Sequence, residues 1–223
     1  MQAGNTHYRK GSDIPKVVPI FPLGGALLLP GGRLPLNIFE PRYLEMTDAA
    51  MRESRLIGMI QPRLDGALRE DGEPELCQVG CIGRVTSLAE TGDGRYLMAL
   101  QGVCRFRISA ERGSRTPYRQ CEILPFVSDL VEERSESGIN RPALLKTFRA
   151  YLDANGLSAD WESVSRAADT TLVNALSMMA PFGAAEKQAL LEAADLRTRA
   201  ETLIAITEMA LARDQDDFSS SLQ

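Results

Sequence analysis

Histidine is nearly absent from this sequence: His7 is the only one in 223 residues. A Ser-His-Asp triad needs an imidazole to carry its proton, so that chemistry is excluded in practice. Lysine is almost as scarce, with Lys10, Lys16, Lys146 and Lys187 the only ones. A phosphate-binding G-x-x-x-x-G-K-S/T loop needs a lysine directly after its last glycine. Here Gly31-Gly32 is followed by Arg33, and Lys187 follows Glu186 in a helical pattern. A Ser–Lys dyad needs a lysine desolvated beside a serine, whereas Lys146 and Lys187 fall on predicted solvent faces of helices. No apolar run is long enough to cross a bilayer, and the stretch MQAGNTHYRKGSDIPK lacks the apolar core of a secretion signal. A cytoplasmic protein with no membrane partner is expected. Basic charge is in deficit too: 25 Lys+Arg stand against 30 Asp+Glu, a net charge of −5. A general affinity for nucleic-acid phosphate is therefore not expected.

Cysteine is present but badly placed for chemistry. Cys77, Cys81, Cys104 and Cys121 all fall on the apolar faces of predicted strands, where a thiol acts as a small hydrophobe. A C-x3-C spacing within one strand is a poor zinc clamp, and cytosolic thiols stay reduced. No metal and no cofactor are expected. Glu70, Asp71, Glu73 and Glu75 lack the ligand spacing of a calcium loop and read as a solvated surface.

What the chain has in plenty is punctuated apolar sequence. From Val17 to Tyr43 it reads VVPIFPLGGALLLPGGRLPLNIFEPRY, cut by five prolines and two glycine pairs. Such a stretch supports short extended pieces joined by tight corners, which suits the wall of a small bent barrel. Strands are expected at 17–23, 34–39 and 56–61, with a helix over 41–53 whose first turn holds Pro41. The longest alternating runs, 76–89 and 95–110, meet at Gly92-Asp93-Gly94, a hairpin signal. A further strand is expected over 118–126, giving roughly six or seven in all. Beyond Ser128 the pattern turns helical, with Asn140, Ser158, Asp169 and Asp195 as candidate caps.

The fold class expected is α+β, in two parts. A loose tail over 1–13 precedes a β-rich barrel subdomain with one helix over 14–128. A small helical bundle follows over 129–213, and then a polar, disordered tail over 214–223.

Three stretches in fixed order carry a family resemblance: FPLGGALLLPGGRLPLNIFEPRYLEM, VGCIGRVTSLAETGDGRYLMALQGVCRFRI and LVNALSMMAPFGAAEKQALLEA. Together they resemble the N-terminal domain of Lon proteases, and in particular the free-standing bacterial proteins made of that domain alone. The resemblance runs from about Val17 to Arg213. It implies a PUA-like barrel followed by a helical subdomain, and a role in recognising protein substrates. Full Lon proteases continue into an ATPase module and a Ser–Lys peptidase, for which this sequence leaves no room. A non-catalytic protein is therefore expected.

The candidate surface is the apolar loop Ala26–Pro30. Leu27, Leu28 and Leu29, with Phe21 and Tyr43, form a patch able to take an unfolded peptide if the loop is exposed, and a core corner if it is buried. Phe39, Glu40, Pro41 and Arg42 read as a structural junction, with Phe39 and Tyr43 in the core and a charged pair fixing the turn. Arg105, Arg107, Arg112, Arg115 and Arg119 raise the question of RNA, but the chain is acidic as a whole and no run of aromatics is interleaved with them. The function expected is binding of unfolded or partner proteins, as an adaptor in protein quality control. A small-molecule- or RNA-binding barrel is the alternative, and an unrecognised hydrolase a more distant one. The oligomeric state is left open by the sequence.

Overall fold

The computed structural model describes residues 1–113, 115–131 and 138–220. It divides into two compact units, Met1–Glu132 with Pro181–Leu191, and Glu133–Ala180 with Glu192–Gln223. Both strands and helices are present, as an α+β chain requires.

The first unit is built on β3 (Val17–Pro22), β4 (Arg33–Ile38), β5 (Leu56–Ile60), β6 (Val79–Glu90), β7 (Tyr96–Arg112) and β8 (Arg119–Pro125). The order is β4-β7-β6-β5-β3-β8, and β8 also pairs with β7, so five strands close on themselves. Only β3–β5 is parallel; the other pairings are antiparallel. Closure depends on the length of β7. Its first half pairs with β4 and its second half with β8, while β6 runs beside both. Closure leaves only short edges unsatisfied. The interior packs Ile20, Ile82, Cys104, Phe106 and Cys121, all essentially without exposure. Helix α1 (Pro41–Arg52) buries Tyr43, Met46, Thr47 and Ala50, which share one face by the spacing of an α-helix.

Residues 1–13, expected as a loose tail, are folded. β1 (Gln2–Ala3) and β2 (Thr6–His7) form a small antiparallel pair, and Ala3, Tyr8 and Ile14 enter the core. The Arg84 guanidinium donates to the Tyr8 hydroxyl at 3.1 Å, and Gly4 N–H donates to the Gln101 side chain at 2.9 Å. Three apolar residues scattered among polar ones give no period to read, but they suffice to anchor a short segment.

The expected boundary at 128 also shifts. A 3-10 turn at Val127–Leu130 buries Leu130 in the barrel core. Helix α5 (Ala184–Glu192) returns to the first unit for all but its last residue. It is held there by polar side chains. Lys187 Nζ donates to Gly25 C=O at 2.8 Å, and Gln188 Nε2 donates to Val79 C=O at 3.2 Å. Gln61 Nε2 donates to Ala184 C=O at 3.0 Å and to the Gln188 side chain at 3.1 Å. Lys187 therefore does not lie on a free solvent face.

The second unit comprises α2 (Arg141–Ala154), α3 (Trp161–Arg166), α4 (Asp169–Met179) and α6 (Leu196–Ser220). Helix α6 packs against α2 and α4. Asn140 caps α2 by accepting Ala143 N–H at 3.1 Å, and Asp195 accepts Thr198 N–H at 2.7 Å to start α6. Asp160, not Ser158, caps α3, and Asp169 lies inside α4 rather than before it. The α6 backbone continues helically to Ser220, across most of the expected tail, while 221–223 lie outside the described residues.

Candidate functional site

For the leucine loop the sequence leaves two readings, an exposed patch or a buried core corner. Leu27, Leu28 and Leu29 are all buried, so they cannot present a patch to an incoming chain. The reason lies in two distant glycines. Leu29-Pro30-Gly31-Gly32 forms a tight turn, closed by Gly32 N–H donating to Leu29 C=O at 2.9 Å. Proline at its second position and a positive φ of 78° at Gly31 are what such a turn demands. Gly31 N–H then donates to Gly102 C=O, and Gly102 N–H to Gly32 C=O, each at 2.9 Å. The turn lies so close that a Cβ on Gly102 would sit 2.0 Å from Leu29 O. Leu28 fills the space over Gly83, where a Cβ would lie 2.8 Å from its Cδ2. The loop is a plug in the barrel wall.

The other expected residues separate. Phe21 and Tyr43 are buried, with ring centroids 4.3 Å apart. Phe39, expected in the core, is 60% exposed, with the Arg95 guanidinium 5.9 Å from its ring. Arg42 pairs with Glu40 at 3.0 Å across Pro41 and with Glu73 at 2.9 Å.

These residues converge on β4. Thr91 N–H donates to Arg95 C=O at 2.9 Å, which turns the main-chain groups of Arg95, Leu97, Ala99 and Gln101 toward β6. Tyr96, Met98 and Leu100 therefore turn theirs toward β4, where they face Ile38, Leu36 and Leu34. By the same alternation the main-chain groups of Arg33, Pro35 and Asn37 lie on the outer edge. Among the described residues β4 pairs with β7 alone, and these three residues are exposed. Proline on such an edge is expected, since its missing N–H leaves no ladder bond unmade.

A recess flanks each face of this edge. On the outer face an open groove of about 550 Å³ is floored by Pro35, Leu97, Ala99 and Ala89, and none of its lining residues is charged. On the other face a pocket of about 160 Å³ is lined by Phe21, Leu36, Phe39 and Tyr43. Leu36 and Asn37 line both, so β4 is the wall between them. Sequence reading missed this edge. The signal was Pro35 within an alternating strand, which marks a border strand.

Three arginines of the cluster, Arg105, Arg112 and Arg119, are held by carboxylates. Arg105, one of the arginines that raise the question of RNA, is buried and holds Asp129 at 2.9 Å. Arg119 holds Glu111 at 2.6 Å, and Arg69 reaches the same carboxylate at 2.5 Å. Burial pushes Glu111 up, but the two arginines overcome it and hold the carboxyl below its ordinary range. Burial also pushes the Cys104 and Cys121 thiols up to about 12, so both are protonated at neutral pH. Cys77, expected on a strand face, is half-buried and lies outside the strands.

The family model described as the ATP-dependent protease La (LON) substrate-binding domain matches residues 17–208. Lon protease 2 of Myxococcus xanthus is 29% identical over 203 residues, which is 86% of this chain and 23% of that protein. The Lon protease of Anaeromyxobacter dehalogenans is 35% identical over 124 residues, 55% of this chain and 14% of that protein. The chain thus spans less than a quarter of the length of either of these curated relatives. Among solved structures, the N-terminal domain of Mycobacterium avium complex Lon protease gives a TM-score of 0.65 at 20% identity, covering 86% of this chain and 98% of that one. A Lon N-terminal domain protein from Xanthomonas campestris gives 0.59 at 23% identity, covering 85% and 97%. At such identities the two structures speak to the fold alone.

Proposed function

The chain belongs to the LON substrate-binding domain family, and from that premise we propose that it is a non-catalytic module that binds unfolded polypeptide, working as an adaptor in cytoplasmic protein quality control. The observation that carries this reading is the outer face of β4, β7 and β6. Pro35 sits beside Ala99 and Ala99 beside Ser87, while Asn37 sits beside Leu97 and Leu97 beside Ala89. Leu97 is 51% exposed. An unfolded chain displays apolar side chains that a folded one hides. A flat apolar face without charge takes them up at no cost in stripping water from ions. Arg105, Arg112 and Arg119, three of the five arginines that would serve nucleic acid, are already paired with Asp129, Glu122 and Glu111, which favours protein over RNA as the partner.

The test is binding of a reduced, alkylated, fluorophore-labelled model protein, followed by anisotropy. Leu97→Asp places a charge in the middle of the face at an exposed position, where folding tolerates it. Affinity should fall roughly tenfold or more, since burying an unpaired carboxylate costs well over 1 kcal/mol. Unchanged binding by a folded Leu97→Asp variant would remove this face from consideration.

A further inference from the structure

We propose that the free edge of β4 captures its polypeptide as an added β-strand, and that the segment taken is a short continuous apolar run. This rests on the polypeptide-binding reading above and states its mode and substrate class. The edge offers what an extended chain lacks when unfolded: Arg33 and Asn37 present both N–H and C=O, and Pro35 presents C=O. None of these groups has a main-chain partner among the described residues. An extended chain laid along β4 meets them in register, because both strands advance by the same rise per residue.

The side chains of an added strand point alternately to the two faces of the sheet. Along β4 one face leads to the uncharged groove over Leu97 and Ala99, and the other to the pocket of Phe21, Leu36 and Tyr43. The groove has no charged lining, and the pocket is mostly apolar with Glu40 its one charged lining residue, so the two faces call for apolar residues at consecutive positions. Sequences of that kind form strands buried on both sides in native proteins. They are exposed only when a protein has unfolded, so the geometry selects for the unfolded state rather than for one sequence. Arg33 has no ion pair among the described residues and borders the edge at one end, which favours an acidic flank over a basic one. Pro35 limits the same edge from pairing freely with other copies.

The probe is a labelled peptide with a Val-Ile-Val-Leu centre and Ser and Glu flanks, each backbone nitrogen methylated in turn. Strand addition predicts a period of two: methylation at nitrogens facing β4 should weaken binding roughly tenfold, and the alternate ones should have little effect. Pro35→Ala restores the missing edge donor at a site that tolerates alanine, and should tighten binding a few-fold. Binding of the peptide without period-two sensitivity overturns strand addition and leaves polypeptide binding intact. Binding of the unfolded model protein but not of the peptide overturns the proposed substrate class. Binding of neither overturns the functional reading beneath both.

Discussion

Arg105 and Asp129 form a buried ion pair in which two guanidinium nitrogens each reach one carboxylate oxygen at 2.9 Å. The side chains are 4% and 10% exposed. Arg105 N–H donates to the same carboxylate at 2.9 Å, and Nη1 donates to Leu191 C=O at 3.2 Å at the end of α5. One side chain thus binds β7, the turn after β8 and the returning helix within the first unit.

Removing the acid leaves a cation in the interior with too few acceptors. Asp129→Ala should therefore destabilise by about 3–5 kcal/mol, the range for breaking a buried pair from one side. Adding Arg105→Met should recover a good part of that loss, because the stranded charge goes with it. Urea unfolding of the two variants decides the matter. A single-variant loss under about 1 kcal/mol would mean that water reaches the pair and that it does not pin the helix.

The leucine plug makes a sharper contrast, between two glycines. At Gly102 a Cβ would meet the Leu29 carbonyl oxygen at 2.0 Å, and main chain cannot rotate away. At Gly83 the nearest atom is the end of the Leu28 side chain at 2.8 Å, which can turn. Gly102→Ala should cost about 3 kcal/mol or more or prevent folding, and Gly83→Ala about 1–2 kcal/mol. Equal losses in thermal unfolding would show that the turn is not clamped against β7.

The same plug shows where sequence reading runs out. Gly92-Asp93-Gly94 and the alternation on either side locate β6 and β7 within a few residues, because a hairpin is a local object. Asn140 and Asp195 reveal two helix starts for the same reason. Whether Leu27–Leu29 face water depends on Gly83 and Gly102, far along the chain, and no local pattern carries that. The return of α5 is hidden likewise. Its anchors are Lys187 and Gln188, polar residues that a periodicity argument assigns to solvent. Phe39 misleads in the opposite sense: it has the look of core, yet it lies just past the end of β4 and is largely exposed.

The thiols set the alkaline limit of the first unit. Burial raises Cys104 and Cys121 from an ordinary 9.0 to about 12. Asp129 and Glu111 push the same way, and the neighbouring arginines oppose them. In the unfolded chain these thiols release protons near the ordinary value, so above it the unfolded state binds fewer protons than the folded one. The stabilisation is therefore fully present below about pH 9 and is lost as pH rises toward 12. Burial also raises Tyr8 and Tyr43, which steepens the same decline. Urea midpoints should hold level from pH 7 to about 8.5 and fall by pH 10, and Cys104→Ala should flatten the decline although it starts lower. At pH 8 a thiol reagent should label half-buried Cys77 first. Cys104 and Cys121 should follow only at the rate of opening, since thiolate is both scarce and inaccessible there. Labelling of all three at the rate of free cysteine in the native protein would show that the barrel interior is open to solvent.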